Sequence, residues 1–254
     1  MSVTMRKFES FDGTELAWHE AGPEDGRPLL LLHGLFSNAH TNWMKFGTAD
    51  ALTAAGLRLY MLDFRAHGES ASPKDAAAYP ANVLARDVEA WAAHLGLADF
   101  DLAGFSLGGR TAVHAVIGGL SPGKLAVCGM GLAGITDQQA GTDWFLDMID
   151  RLGAHERGSD EYFAQQFMKT GKVDPVAAAH LLRAQVDADP AAVAAIDTPT
   201  RVICGAEDRY RADAEALADR MANAAFVEIP GTHMSSVTKP DLGQALAAWF
   251  TDEG

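Results

Sequence analysis

The sequence predicts an α/β fold built around a mostly parallel β-sheet that is flanked by helices. Short, continuous aliphatic runs such as Leu57–Leu62 alternate along the chain with longer stretches of helical periodicity. Continuous runs are typical of strands that are buried on both faces, as in a parallel sheet covered by helices. One long interval, residues 135–196, contains helical patterns but no convincing strand. Together these observations predict one α/β domain that carries a helical insertion.

The individual elements follow in order along the chain. Residues 5–10 and 15–20 flank the turn signal Asp12-Gly13 and predict a β-hairpin. Buried strands are predicted at residues 28–32, 57–62, 100–103, 125–132, 201–204 and 226–229, and helices at 81–95, 109–117, 212–221 and 241–250. Within the interval 135–196, Asp174-Pro175 and Asp189-Pro190 each combine an N-cap residue with proline at the first helical position. We therefore expect a core of residues 1–134 and 197–254 and a helical insertion at 135–196.

The composition limits the classes of partner and the cellular compartment that are expected for this chain. The chain has 254 residues, and its 34 acidic residues against 20 basic ones give a formal charge of −14. Phosphate backbones and anionic lipid repel such a chain, which argues against nucleic acid and membrane surfaces as partners. The N-terminus has no apolar stretch typical of a signal peptide, and Cys128 and Cys204 both lie in predicted strands as expected for buried thiols. We expect a cytoplasmic protein, and the sequence leaves open whether it forms a homodimer.

The strongest chemical signal is the motif Gly104-Phe105-Ser106-Leu107-Gly108. It follows a predicted strand and precedes a predicted helix, which is where a serine nucleophile on a sharp strand-to-helix turn is expected. Glycines two residues to either side of the serine allow strand and helix to approach closely. The motif therefore predicts Ser106 as a nucleophile, with the positive end of the following helix favouring negative charge nearby.

A serine nucleophile requires a base that is itself oriented by a carboxylate. Among nine histidines, His233 is the best candidate, because it follows the last predicted strand, and the carboxyl ends of parallel strands are where sites are built. Asp208 follows the strand at residues 201–204 and is the preferred acid. Two other carboxylates remain alternatives, its neighbour Glu207 and, after the preceding strand, Asp137.

Two backbone amides are needed to hold the oxyanion of an acyl-transfer reaction. The amide of Leu107, directly after the nucleophile, is the first expected donor. The second is expected in the loop His33-Gly34-Leu35-Phe36, with Leu35 preferred and Phe36 as the alternative.

These motifs resemble the α/β-hydrolase family, in particular its small, cap-bearing, esterase-like branch. The resemblance covers nearly the whole chain: His33-Gly34 after one strand, residues 63–70 (DFRAHGES) after the next, the serine motif, then Asp208 and His233. It implies a mostly parallel eight-stranded sheet, with residues 135–196 inserted as a cap after the sixth strand. It also implies that Ser106, Asp208 and His233 form a catalytic triad, with Leu35 and Leu107 as the oxyanion hole.

At two places this chain differs from other branches of the family, and these differences argue against the reactions of those branches. Members that open epoxides or displace halides carry aspartate where this chain has Ser106. The glycine- and proline-rich oxyanion loop typical of carbon–carbon bond hydrolases is absent, because His33-Gly34 continues as Leu35-Phe36. The resemblance implies hydrolysis of a small to medium, largely apolar carboxylic ester or lactone through an acyl-enzyme, without a cofactor. Thioester hydrolysis, cofactor-free peracid formation and a small-molecule receptor with negligible turnover remain alternatives.

The substrate pocket is expected beneath the helical interval. Its apolar lining is predicted from residues of two helical faces and of the oxyanion loop: Phe36, Trp144, Phe145, Met148 and Phe163. The scarcity of basic residues in this interval argues against a free-acid substrate. His67 is expected to be structural, and the remaining histidines lack metal-ligand spacing, so no metal site is predicted.

Overall fold

The computed structural model describes residues 2–252 and contains an eight-stranded sheet in the order β1-β2-β4-β3-β5-β6-β7-β8. The strands are β1 (Val3–Glu9), β2 (Glu15–Ala21), β3 (Arg27–Leu32), β4 (Leu57–Leu62), β5 (Asp101–Phe105), β6 (Leu125–Cys128), β7 (Thr200–Gly205) and β8 (Ala224–Ile229). Strand β2 is antiparallel to both of its neighbours, and the remaining pairs are parallel. The predicted fold class, including the initial hairpin, is confirmed.

Helices cover both faces of this sheet. They are α1 (Thr48–Ala54), α2 (Val83–Leu95), α3 (Leu107–Ile117), α4 (Ala133–Thr136), α5 (Gln139–Asp150), α6 (Asp160–Thr170), α7 (Pro175–Arg183), α8 (Pro190–Ala194), α9 (Arg211–Arg220) and α10 (Pro240–Thr251). A π-helical turn, His40–Met44, precedes α1. Within residues 2–252, no helix combines the length and the apolar character that crossing a membrane requires.

The central strands are buried on both faces, as their continuous aliphatic sequences indicate. In β3, Leu30 and Leu32 pack into the core under α2, α3 and α9, whereas Leu29 and Leu31 pack into the core under α1 and α10. All four side chains are fully buried. Burying a leucine side chain stabilises the fold by roughly 1.5–3 kcal/mol. Alternate residues of this one strand therefore stabilise the packing of helices on both faces of the sheet.

Two local predictions need correction. The strand predicted at residues 125–132 ends at Cys128, because Gly129 adopts a φ of 57° and takes the chain out of the extended conformation. The sequence pattern also missed α1 and the π-helical turn before it. Both cysteines, Cys128 and Cys204, are buried free thiols, as expected from their positions in strands.

Between β6 and β7 the chain forms only helices, α4 to α8. The predicted caps are confirmed: the Asp174 carboxylate accepts from the amides of Val176 and Ala177, and Asp189 caps α8 in the same way. Helices α5, α6 and α7 share a small apolar cluster with the oxyanion loop. The division of the chain into a core and a separate cap at residues 135–196 stays a prediction.

Candidate active site

Ser106 lies at the sharp turn between β5 and α3. Its φ of 54° and ψ of −116° are values that a non-glycine residue rarely adopts, so the backbone here is strained. The flanking glycines are required by space: a Cβ on Gly104 would collide with the Gly108 backbone, and one on Gly108 would collide with the Leu32 carbonyl. Helix α3 can therefore approach β5 and the end of β3 closely, which presents Ser106 at the carboxyl edge of the sheet.

Two hydrogen bonds join the predicted nucleophile, base and acid. His233, after β8, lies with Nε2 3.1 Å from the Ser106 Oγ and Nδ1 2.9 Å from an Asp208 carboxylate oxygen. Asp208 follows β7, is almost fully buried and also accepts from the Tyr210 amide at 3.0 Å. The structure thus brings together the three residues that the sequence placed after three separate strands.

The environment keeps Asp208 ionised. Burial alone would raise the pKa of this carboxyl, but its hydrogen bond to His233 and the charge of that ring outweigh burial and lower the pKa below its usual value. Of the alternative acids, Glu207 is exposed beside the site, and Asp137 is exposed at the end of α4. Both ring nitrogens of His233 are already occupied by Ser106 and Asp208, which favours Asp208 as its partner.

The oxyanion loop distinguishes between Leu35 and Phe36. The Phe36 amide donates to His67 Nε2 at 3.0 Å and is therefore occupied. Among residues 2–252, the Leu35 and Leu107 amides have no acceptor, and Leu107 begins α3, where helical amides lack intrahelical partners. This arrangement favours Leu35 over Phe36 as the second donor.

His67 anchors this loop from the turn that follows β4. Burial, together with the nearby His33, lowers the pKa of His67 to about 3, so its ring stays neutral and can accept the Phe36 amide. His33 accepts the Phe64 amide in the same way, at 3.0 Å. The structural role predicted for His67 is thus to accept the Phe36 amide and so fix the oxyanion loop. The sequence did not indicate which amide this histidine binds.

A cavity of about 490 Å³ opens in front of Ser106 and His233. Four of the five predicted lining residues contribute to its wall: Phe36, Trp144, Phe145 and Phe163. Met148 does not, because it is fully buried in the apolar cluster among α5, α6 and α7. This prediction needs correction: helical periodicity places Met148 on an apolar face but does not separate core packing from cavity lining.

Sequence reasoning missed the polar part of this wall. Arg110, Gln138, Thr142 and Gln185 line the cavity on the side of α3, α5 and α7. One signal was available, because Gln138 and Thr142 are four residues apart and Thr142 precedes Phe145 by three, spacings that put them on one side of α5. The cavity is therefore apolar along much of its wall, and one of its polar regions is formed by side chains from α3, α5 and the end of α7.

A model of the alpha/beta hydrolase family matches residues 29–242. This chain belongs to that family. Two similar solved structures are an esterase from Exiguobacterium antarcticum, with a TM-score of 0.79, 18% identity and coverage of 97% of this chain and 99% of that one, and an enol-lactonase from Burkholderia xenovorans, with a TM-score of 0.72, 21% identity and coverage of 97% and 100%. At these identities the likeness shows the hydrolase fold alone.

Curated relatives match over part of the hydrolase. The dihydrolipoyllysine-residue acetyltransferase component of an acetoin cleaving system from Pseudomonas putida is 40% identical over 114 residues, which cover 45% of this chain and 29% of that protein. This chain spans about a third of the length of the curated relatives that it matches. The family is established, whereas the substrate is not given by these relatives.

Proposed function

We propose that this hydrolase cleaves small to medium carboxylic esters or lactones through a covalent acyl-enzyme on Ser106. One observation carries the proposal: an unbroken line of hydrogen bonds joins Asp208, His233 and Ser106 at the wall of a largely apolar cavity. A buried carboxylate, an imidazole and a hydroxyl in this order constitute a nucleophile with its base.

The residues divide the reaction between them. Ser106 Oγ attacks the carbonyl carbon while His233 Nε2 takes the hydroxyl proton, and Asp208 stabilises the imidazolium that forms. The Leu35 and Leu107 amides hold the oxyanion. His233 then protonates the leaving alcohol, and a water activated by the same ring releases the acid. Every step uses groups of this chain, so the proposed mechanism needs no cofactor.

The cavity and the fold relatives support this substrate class. A volume of about 490 Å³ lies within the range of small-molecule sites, roughly 300–1,000 Å³. Two proteins that share this fold are named an esterase and an enol-lactonase, which agrees with ester or lactone hydrolysis by this chain. The buried thiols Cys128 and Cys204 support the reducing cytoplasm as the compartment.

The decisive experiment compares the wild type with Ser106→Ala on short p-nitrophenyl esters, a lactone and an acyl-coenzyme A. The wild type should hydrolyse esters or the lactone fastest, and Ser106→Ala should lower kcat by about a thousandfold or more, because the nucleophile is removed. Circular dichroism should be unchanged, since alanine also fits this turn. Equal rates for the two proteins would refute the role of Ser106. If wild-type turnover were near background while Ser106→Ala still bound one of these esters or the lactone tightly, the protein would be a small-molecule receptor instead.

A further inference from the structure

The polar end of the active-site cavity adjoins a second, smaller cavity. The smaller cavity, of about 170 Å³, shares five lining residues with the larger one: Arg110, Gln138, Thr142, Leu182 and Gln185. We call the region around these five residues the inner end. Ser106 lines the larger cavity together with them, so a substrate that reacts at Ser106 occupies the same space.

Side chains at this inner end have unused hydrogen-bonding capacity. The Thr142 hydroxyl and the Gln138 carboxamide have no side-chain hydrogen bond with any residue from 2 to 252. The Gln185 amide nitrogen donates to the Leu181 carbonyl at 3.2 Å. Thr142 is 8% exposed and lies at the wall of both cavities. A ligand oxygen beside Thr142 and Gln138 would accept a hydrogen bond from the hydroxyl or from the carboxamide nitrogen.

Arg110 adds positive charge to the same place. Its side chain is 2% exposed, it donates to the Gly134 and Val186 carbonyls, and its Nε has no partner within the described chain. Asp187, at 3.3 Å, is the carboxylate paired with it, and that side chain is 42% exposed. Burial lowers the pKa of Arg110, more than Asp187 restores it. A charge that is so incompletely compensated favours a second anion nearby.

The charges differ between the two ends of the space. Among the exposed residues that line the larger cavity, Asp160 and Glu207 outnumber Arg209. At the inner end, Arg110 and Arg183 outnumber Asp187. In a chain of net charge −14, the inner end is thus a local site where a negative or acceptor-rich group is stabilised.

We propose that this inner end is a subsite for an acceptor oxygen, carboxylate or carbonyl, at the far end of the substrate from the cleaved ester bond. The substrates are then esters or lactones with an apolar middle and an oxygen-rich terminus. The inference rests on the proposed function of Ser106. It revises the expectation against free acids, because the decisive basic group, Arg110, comes from α3 and not from the helical interval.

Three methyl esters of equal chain length test the subsite: monomethyl adipate, dimethyl adipate and methyl hexanoate. We expect kcat/KM, counted per ester bond, to be about tenfold or more higher for monomethyl adipate than for methyl hexanoate, which corresponds to about 1.4 kcal/mol. Dimethyl adipate should lie between them. A diester as fast as the monoester would assign the acceptor to neutral carbonyls. Equal rates for monomethyl adipate and methyl hexanoate would overturn the proposal.

Thr142→Val removes the hydroxyl at nearly constant volume and should reduce the ratio of kcat/KM for monomethyl adipate to that for methyl hexanoate about fivefold or more. The control variant is Thr170→Val on α6. Thr170 lines neither cavity, so this variant should keep the wild-type ratio of kcat/KM for the two esters. Gln138→Leu is the second test if Thr142→Val fails to fold. An unchanged ratio in both variants would contradict the subsite.

Calorimetry with Ser106→Ala separates this proposal from the proposed function. Adipate should bind this variant more tightly than hexanoate does, by about tenfold, independently of any turnover. Tighter adipate binding together with full activity of Ser106→Ala would reject the nucleophile and keep the subsite. Equal binding of the two acids together with loss of activity would reject the subsite and keep the nucleophile.

Discussion

At the scale of single residues, the acid partner of His233 can be tested directly. Asp208→Asn keeps the shape but replaces the carboxylate that accepts from His233 Nδ1, so the imidazolium loses its stabilising charge and the ring loses its preferred tautomer. We expect kcat to fall by roughly 10⁴-fold, as in comparable triads. Asp137→Asn, at an exposed position on the end of α4, should lower kcat less than about twofold. The measurement is kcat on one short ester, and the reverse ranking would transfer the acid role to Asp137.

The same scale shows where sequence reasoning stops. Ser106, His233 and Asp208 were predictable because each follows a recognisable strand, and the carboxyl ends of parallel strands meet at one edge. The preference for Leu35 over Phe36 was only partly predictable. It depends on His67, thirty-one residues further along the chain, whose ring occupies the Phe36 amide. No local pattern encodes that contact, because it forms only when the loops after β3 and β4 lie side by side.

At the scale of elements, the approach of α3 to β5 at Gly104 and to the end of β3 at Gly108 leaves no room for a side chain at either glycine. Gly104→Ala and Gly108→Ala would each press a methyl group against backbone atoms that cannot move independently. We expect each to lower the free energy of unfolding by about 3 kcal/mol or more, measured by urea denaturation. Gly118→Ala, at the C-cap of α3, is the control, because the atom nearest to its Cβ would be the movable end of the Glu89 side chain and not backbone. A loss at Gly104 no larger than at Gly118 would contradict the close approach.

Element boundaries were less predictable than element types. The aliphatic run 125–132 reads as one strand, yet Gly129 ends it four residues early by adopting a positive φ. Helix α1 (Thr48–Ala54) was missed because it is short and consists largely of small residues. Its buried positions are Thr48, Ala49 and Leu52. Tertiary packing against α10 and β4 stabilises it, which sequence periodicity over seven residues does not reveal.

At the scale of the whole molecule, the composition of the cavity was the least predictable feature. Its walls combine residues from the loop after β3, from α3, from α5 to α7 and from the loops after β7 and β8. Met148 and Phe145 share a helical face, but only Phe145 lines the cavity. Arg110 reads as an ordinary residue of α3 until residues near the two ends of the helical interval, Gly134 and Val186, accept its hydrogen bonds. Substrate selectivity is therefore a property of the assembled fold.

Stability of the whole molecule should fall in mild acid, because several buried histidines are held neutral. Burial lowers the pKa of His67 to about 3 and, together with the charge of Arg110, that of His114 to about 4, against an ordinary value of 6.5. Below pH 6.5 the unfolded chain therefore binds protons that the folded chain does not, and the stabilisation present above that pH is lost as the pH falls. For each such histidine, the free energy of unfolding falls by at most about 1.4 kcal/mol per pH unit of acidification.

His114 is the group with which to test this coupling, since its Nε2 has no hydrogen-bond partner in the described chain and its ring lies outside the candidate active site. His114→Leu removes the titrating group without removing a hydrogen bond of that nitrogen. Between pH 7.5 and 5.0, the free energy of unfolding measured in urea should fall by about 2 kcal/mol less for His114→Leu than for the wild type. The exposed His40→Leu should follow the wild type. Identical pH dependence in the wild type and His114→Leu would contradict the prediction that burial holds His114 neutral in the folded protein.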